Sequence, residues 1–303
     1  MGTLSIVLPA YNEELMIEET WRQLSKIMED NNIPYELVMV DDGSKDGTWE
    51  KICSLPKDHV TGVSFSRNFG KEAAVFAGLE TASGDCVAVM DCDLQHPPET
   101  LVTMYSLWKE GYEVVEGIKS SRGKESRIHK GFANLFYSLM SKAMHLDMAN
   151  ASDFKLMDRK VVDTILLMKE RNPFFRAMSS WVGFRKTTVE YEVQERMAGD
   201  SKWSFKSLVK YAISNISSYS AAPMQLVTIA GILTFLLAVI LGIQTLIRYF
   251  TGTATEGFTT VILLVLVIGS ILMMSLGIIG YYVARIYEEI KGRPRFIISR
   301  TNK

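Results

Sequence analysis

The segment VAVMDCDLQHPPE, residues 87–99, starts as an apolar strand and ends on two carboxylates, Asp91 and Asp93, with only Cys92 between them. Along an extended chain residues i and i+2 share a side, so both carboxylates can face one point. Like charges held that close repel and push a pKa upward. A divalent cation removes the repulsion, and carboxylate oxygens suit Mg2+ or Mn2+. Such ions are commonly held by one or two carboxylates together with substrate phosphates. The spacing therefore points to a metal–diphosphate site. The plain alternative is a helix-capping aspartate pair ahead of HPPE.

A carboxylate pair at a strand end needs a scaffold, and the chain supplies one. Apolar runs LSIVLP, YELVMVDD, VTGVSFS, DCVAVMD and YEVVEGIK alternate with helical patterns. One helix is expected after Asn12 as N-cap, with Glu13 and Glu14 in its first turn. Others are expected around Trp49 and over KEAAVFAGLETA. This alternation predicts an α/β, Rossmann-like, mostly parallel sheet with crossover helices. Ligands of such sheets sit beyond the carboxyl ends of the strands. The five runs end in PAYNE, DDGS, SRNFG, DCDLQ and GIK. One polar turn would be ordinary; five in succession mark a site.

The remaining sequence bounds the setting. A formal net charge of -1 over 303 residues argues against a nucleic-acid partner, which calls for a basic excess. No charge occurs from Pro223 to Ile247 or from Gly257 to Ala284. Each run exceeds the roughly 20 residues that cross a bilayer core as helix. RYFTGTATEG joins them, so an antiparallel transmembrane hairpin is expected. Lys202, Lys206 and Lys210 precede it, and Arg285, Lys291, Arg293, Arg295 and Arg300 follow, whereas the turn holds only Arg248 offset by Glu256. The positive-inside rule then puts both termini in the cytoplasm of a multi-pass inner (plasma) membrane protein. No signal peptide is expected before YNEE. Residues 203–220 carry Phe205, Leu208, Val209, Ala212, Ile213 and Ile216 on one helical face, which reads as an interfacial helix or as packing against the domain. The expected organisation is a catalytic domain at 1–202, an amphipathic helix at 203–222, spans at 223–250 and 258–284 around an extracytoplasmic turn at 251–257, and a basic cytoplasmic tail at 285–303. Cys53, Cys86 and Cys92 lack CxxC spacing and read as reduced thiols.

PAYNE, VDDGSKDGT, SRNFGKEAA, MDCDLQHPPE and ERMAGDSKW together resemble family 2 glycosyltransferases of the GT-A fold. The closer resemblance is to polyprenyl-phosphate glycosyltransferases, the group that includes dolichol-phosphate mannose synthase and the bactoprenol glucosyltransferases with a C-terminal two-helix hairpin. It spans nearly the whole chain. A lone DxD is weak; five motifs in family order are specific. The resemblance implies that Pro9, Tyr11 and Glu13 lie against the nucleoside, and that Asp42, with Asp41, reads base or ribose. It implies that Asp91 and Asp93 hold the metal, with Gln95 beside them and Cys92 in the same donor-binding turn. Lys119 stands where relatives carry a basic residue, and Arg196 and Lys202 resemble a pair that clamps the diphosphate from a mobile loop. Gly70-Lys71 looks like the end of a P-loop, but Glu72 stands in place of the hydroxyl and the upstream glycine is missing. That segment reads as a loop lining the nucleotide site.

The reaction so implied is attack by a polyprenyl phosphate oxygen on the anomeric carbon of a nucleotide sugar, with inversion. The leading donor is UDP-glucose and the leading acceptor undecaprenyl phosphate; UDP-galactose, UDP-N-acetylglucosamine and GDP-mannose stay open. A phosphate monoester is mostly dianionic at neutral pH, so no strong base is needed. Asp153, in SDFKLMDR, is expected to orient the acceptor or its metal, or to cap structure. Lys119, Arg122 and Arg127 are the first choices for the acceptor phosphate, within a basic run that also reads as a solvated face. The family also implies assemblies of protomers. A processive polysaccharide synthase is disfavoured, because QERMAG lacks the Trp of QxxRW. A silent membrane scaffold or lipid carrier is the alternative of a different class.

Overall fold

The computed structural model describes residues 2–120, 152–171, 173–192, 222–251 and 257–302. Its strands are apolar runs because both faces of the sheet are covered. In β1 (Leu4–Ala10) every residue but Pro9 is buried. Alternation sends Ile6 and Leu8 to one layer and Val7 to the other. The first layer is closed by α1 (Ile17–Asp30), α2 (Thr48–Ser54) and α4 (Glu99–Lys109) through Leu24, Met28, Ile52, Leu101 and Met104. The second is closed by α3 (Lys71–Thr81), α5 (Arg159–Leu167) and α6 (Phe175–Trp181) through Phe76, Leu79, Val162, Ile165 and Met178. Helix α3 lies so close to β1 that a Cβ on Gly78 would stand 2.2 Å from Val7 Cγ1.

Strands β2 (Tyr35–Asp41), β3 (Val60–Phe65) and β4 (Cys86–Val89) join β1 in parallel, in the order β4-β1-β2-β3. Strand β5 (Val114–Lys119) does not pair with β4. Between them runs β6 (Lys155–Asp158), antiparallel to both, with Val89 opposite Lys155 and Lys155 opposite Glu116. β7 (Lys186–Tyr191) flanks β5 in parallel. Being antiparallel, β6 begins where β4 ends. That reversal brings residue 153 to the edge that carries Asp91.

Two expectations change here. Asn12 is not an N-cap: its φ is 54°, its side-chain oxygen accepts the Lys45 N–H at 2.9 Å, and the helix starts at Ile17. The chain end also enters the sheet. β8 (Ile298–Thr301) pairs antiparallel with β3, and Asn302 reaches in so that its Oδ1 accepts the Gly62 N–H at 2.7 Å. Phe296 stacks on Phe65 at 5.1 Å, and the Arg295 guanidinium lies over Phe76 at 4.7 Å. Basic residues that read as a tail are thus part of the edge of the fold.

The chain divides into two compact units. One holds all the strands described, including the end from Arg293; the other holds the helices α7 (Ala222–Phe250) and α8 (Phe258–Ile290). Among the described residues one stretch, Val267–Ile290, is long and apolar enough to cross a membrane, against the expected 258–284. Ile229–Leu241 is a shorter apolar run. Of the expected amphipathic helix at 203–222, all but the last residue lies outside the described residues.

Candidate active site

The polar turns at the carboxyl edge of the sheet are tied to one another. Asp41 accepts the Ser44 N–H through Oδ1 and the Ser64 hydroxyl through Oδ2, at 2.9 and 2.7 Å. Asp42 accepts the backbone N–H groups of Phe69 and Gly70 at 2.6 and 2.9 Å. Burial pushes the Asp42 carboxyl up to about 6, although these two donors act against the shift. Gly43, at φ +65°, sits against the backbone of Arg67, where a Cβ would come within 2.4 Å. In turn the PAYNE loop is laced to DDGSKDGT: Glu14 accepts the Gly47 N–H at 2.7 Å and Thr48 accepts the Glu13 N–H at 2.9 Å. Pro9, Tyr11 and Glu13, all partly exposed, lie on this wall. The carboxylates expected to read a nucleoside thus also shape the loops.

Past β4 the chain turns through Leu94 at φ 56°, a left-handed conformation rarely adopted by a branched residue. Leu94 is 1% exposed, so its buried side chain holds the turn against that strain. The turn lets Asp91, Asp93 and His96 converge, with one donor atom from each lying within 4.8 Å of the others. Gln95 gives its backbone N–H to Asp93 Oδ1 at 3.2 Å. Cys92 is buried, its thiol pushed well up by burial, and its carbonyl accepts the Thr20 hydroxyl at 2.8 Å. Its side chain packs in the core beneath the donor-binding turn the sequence assigns it to.

His96 stacks on Phe154 at 4.7 Å and meets the edge of Tyr191 at 5.4 Å. Its Nδ1 is buried with no hydrogen-bond partner among the described residues. Burial lowers the His96 pKa, and Lys71 and Lys119 add to that, while Asp91 and Asp93 act the other way. Burial thus favours the neutral imidazole, the form that ligates metals. Lys119 itself ends β5, exposed and in register with Tyr191.

An ion network runs from this cluster toward α6. Lys71, the first residue of α3, sets its Nζ 2.6 Å from Asp91 Oδ1, 2.8 Å from Asp91 Oδ2 and 3.2 Å from Asp153 Oδ2. Arg176 grips Asp153 through Nε and Nη2 at 2.6 and 2.8 Å. Burial alone would raise the Asp153 carboxyl, but Lys71 and Arg176 overrule it and hold it far below its usual range. Asp91 is lowered in the same way, against burial, chiefly by Lys71. Burial, with Asp153 nearby, pushes Glu72 up; its carboxylate accepts the Phe175 N–H at 2.9 Å and so pins α6.

Asp91, Asp93, Asp153 and Lys119 thus gather at one edge. Arg122, Arg127, Arg196 and Lys202 lie outside the described residues. Sequence reading gave no role to Arg176, His96 or Tyr191, and placed Lys71 only within a loop lining the nucleotide site. The GK pair at a helix start was a signal for Lys71. Nothing in the sequence ties Arg176 to Asp153.

The profile of glycosyl transferase family 2 matches residues 5–166. Uncharacterized glycosyltransferase YkcC of Bacillus subtilis is 41% identical over 303 residues, covering 98% of this chain and 93% of that protein. Bactoprenol glucosyl transferase of Shigella phage SfII is 36% identical over 307 residues, covering 99% of this chain and 98% of that protein. Among solved structures, glucosyl-3-phosphoglycerate synthase from Mycobacterium tuberculosis, in complex with Mn2+ and UDP-glucose, superposes with a TM-score of 0.50 at 20% identity, over 72% of this chain and 79% of that one. At that identity the likeness concerns the fold.

Proposed function

This chain belongs to glycosyltransferase family 2, and on that premise we propose that it moves a hexose from a nucleotide sugar to a membrane polyprenyl phosphate. UDP-glucose and undecaprenyl phosphate are the leading substrates, in line with the bactoprenol glucosyl transferase relatives. The observation that carries the reading is the state of Asp153. A carboxylate held by Arg176 at 2.6 and 2.8 Å and by Lys71 at 3.2 Å is too weak a base to take a proton from a sugar hydroxyl. A phosphate acceptor has a second pKa of about 6 and arrives mostly deprotonated. The site suits a nucleophile that needs positioning and charge rather than a base. Direct attack inverts the anomeric carbon.

The residues fit a divalent cation. Asp91, Asp93 and His96 offer two oxygens and an imidazole that converge, and His96 Nδ1, with no hydrogen-bond partner among the described residues, marks unmet polar demand beside them. Gln95 is the further candidate ligand, next to Asp93. When bound, Mg2+ or Mn2+ supplies charge that stabilises a leaving nucleoside diphosphate. The walls built by Pro9–Glu13 and Asp41–Ser44 hold the nucleoside, and Arg196 and Lys202 clamp the diphosphate. Lys119, with Arg122 and Arg127, draws the acceptor phosphate. Asp153 and Arg176 then orient that phosphate for attack.

Helices α7 and α8 form the transmembrane hairpin in this reading, with the sheet domain and both termini cytoplasmic. Val267–Ile290 and the uncharged run from Pro223 to Ile247 support it. The test is to incubate membranes holding the protein with a panel of labelled nucleotide sugars and undecaprenyl phosphate. Label should enter lipid from one donor, and Asp93→Asn should abolish transfer while the protein stays folded and membrane-bound. Full activity in that variant would remove the metal assignment; no label in lipid from any donor would remove the reaction.

A further inference from the structure

We propose that Lys71 is a cation shared between the donor and acceptor halves of the site, resting on Asp91 until a divalent ion binds and then serving the acceptor phosphate beside Asp153. The inference rests on the polyprenyl-phosphate reading for the identity of that acceptor. Its basis is geometric. Lys71 Nζ covers both oxygens of Asp91, at 2.6 and 2.8 Å, and is already within 3.2 Å of Asp153 Oδ2. The same carboxylate is one of the converging groups that fit a metal. A divalent ion and an ammonium cannot occupy one carboxylate at such distances without strong repulsion. Metal binding through Asp91 therefore displaces Lys71.

Among the described residues, Asp153 is the acid already paired with the displaced ammonium. The Lys71 side chain is 40% exposed, so a short swing is open to it, and Asp153 stands at its other side. Once there, two cations, Lys71 and Arg176, lie against the carboxylate of Asp153, with Glu72, whose ionisation burial opposes, the further acid within their field. The excess positive charge lies where an acceptor phosphate must sit for attack. With Lys71 still on Asp91, that excess is absent, and the phosphate meets a neutralised network. Lys71 thereby links occupancy of the donor side to affinity on the acceptor side. Such links are reciprocal. They also favour an order in which metal and donor bind before lipid.

The test uses the full chain in detergent and two binding probes, with no need for turnover. Mn2+ affinity is measured by electron paramagnetic resonance of the free ion. Farnesyl phosphate affinity is measured by calorimetry with Mn2+ present. Replacing Lys71→Met removes the competing cation, so Mn2+ should bind about tenfold more tightly, equivalent to about 1.4 kcal/mol. Farnesyl phosphate should bind about tenfold more weakly in the same variant. Lys71→Arg keeps a competing cation on Asp91, so it should show neither the tighter Mn2+ binding nor the weaker farnesyl phosphate binding of Lys71→Met. Opposite signs are the signature, because a merely distorted site would weaken both ligands. Unchanged or weaker Mn2+ binding in Lys71→Met, or unchanged farnesyl phosphate binding, overturns the inference alone, provided Asp93→Asn loses Mn2+ and wild type transfers sugar. A wild-type protein that binds no Mn2+ overturns both this inference and the metal assignment.

Discussion

Lys155 is the change whose consequence can be worked out most fully. It is 1% exposed in β6, and its ammonium lies 3.1 Å from Glu116 Oε1 on β5 and 2.7 Å from the Ser179 hydroxyl on α6, 5.2 Å over the ring of Phe175. Glu116 is 6% exposed and also accepts the Ser152 N–H at 2.8 Å. Removing only the cation leaves a carboxylate in the sheet with no compensating charge. Breaking a buried pair from one side costs about 3–5 kcal/mol. For a domain of 150–250 residues each kcal/mol moves the melting temperature by about 2–4 °C. Lys155→Met should therefore lower Tm by roughly 6–20 °C in a thermal scan of the purified full chain in detergent. The double variant Lys155→Met, Glu116→Gln removes both charges, keeps an acceptor for Ser152 and should recover at least half of the loss. Because Ser179 accepts from Lys155 and donates to the Arg176 carbonyl at 3.1 Å, the single variant should also lose turnover. A Lys155→Met protein that melts with wild type, or a double variant as unstable as the single, would refute the reasoning.

Three further outcomes are expected. Asp42, raised from 3.8 to about 6, binds its proton more tightly folded than unfolded. Its contribution to stability is thus full below about pH 4 and lost as pH rises through 6, by at most about 3 kcal/mol. Subtracting the pH–stability curve of Asp42→Asn from that of wild type should show this fall, and a difference that rises over the same range would count against it. Gly78→Ala forces a methyl into Val7 at 2.2 Å, and overpacking of that kind should cost about 1–3 kcal/mol, read as a lower Tm. Asn302→Ala leaves the Gly62 N–H without its 2.7 Å acceptor under the edge strand, so it should cost about 1–3 kcal/mol and make the protein more prone to aggregate when warmed.

Much of the scaffold could be read before any coordinates. Parallel strands covered on both faces must be apolar throughout, which made LSIVLP, YELVMV and VAVM visible as β1, β2 and β4. The turns at their carboxyl ends must be polar to meet a ligand, which made DDGS, SRNFG and DCDLQ visible as a site. The i, i+2 spacing alone brought Asp91 and Asp93 into the argument, and the structure shows them converging. Three other features came only with the tertiary structure. β6 runs against β4, and that single reversal sets Asp153 beside Asp91, because the start of one strand then lies at the end of the other. Alternation of apolar residues states that a strand exists, but neither its neighbour nor its direction. The pairing of Lys71 with Asp91, and of Arg176 with Asp153, was hidden for the same reason, since an ion pair between distant segments leaves no period in the chain. β8 was hidden because an exposed edge strand that follows Arg295 and contains Arg300 is locally the same as a basic tail. What the residues decide locally is which segments can be strands and where polar chemistry must collect; which charges meet there is decided by strand order, a property of the packed chain as a whole.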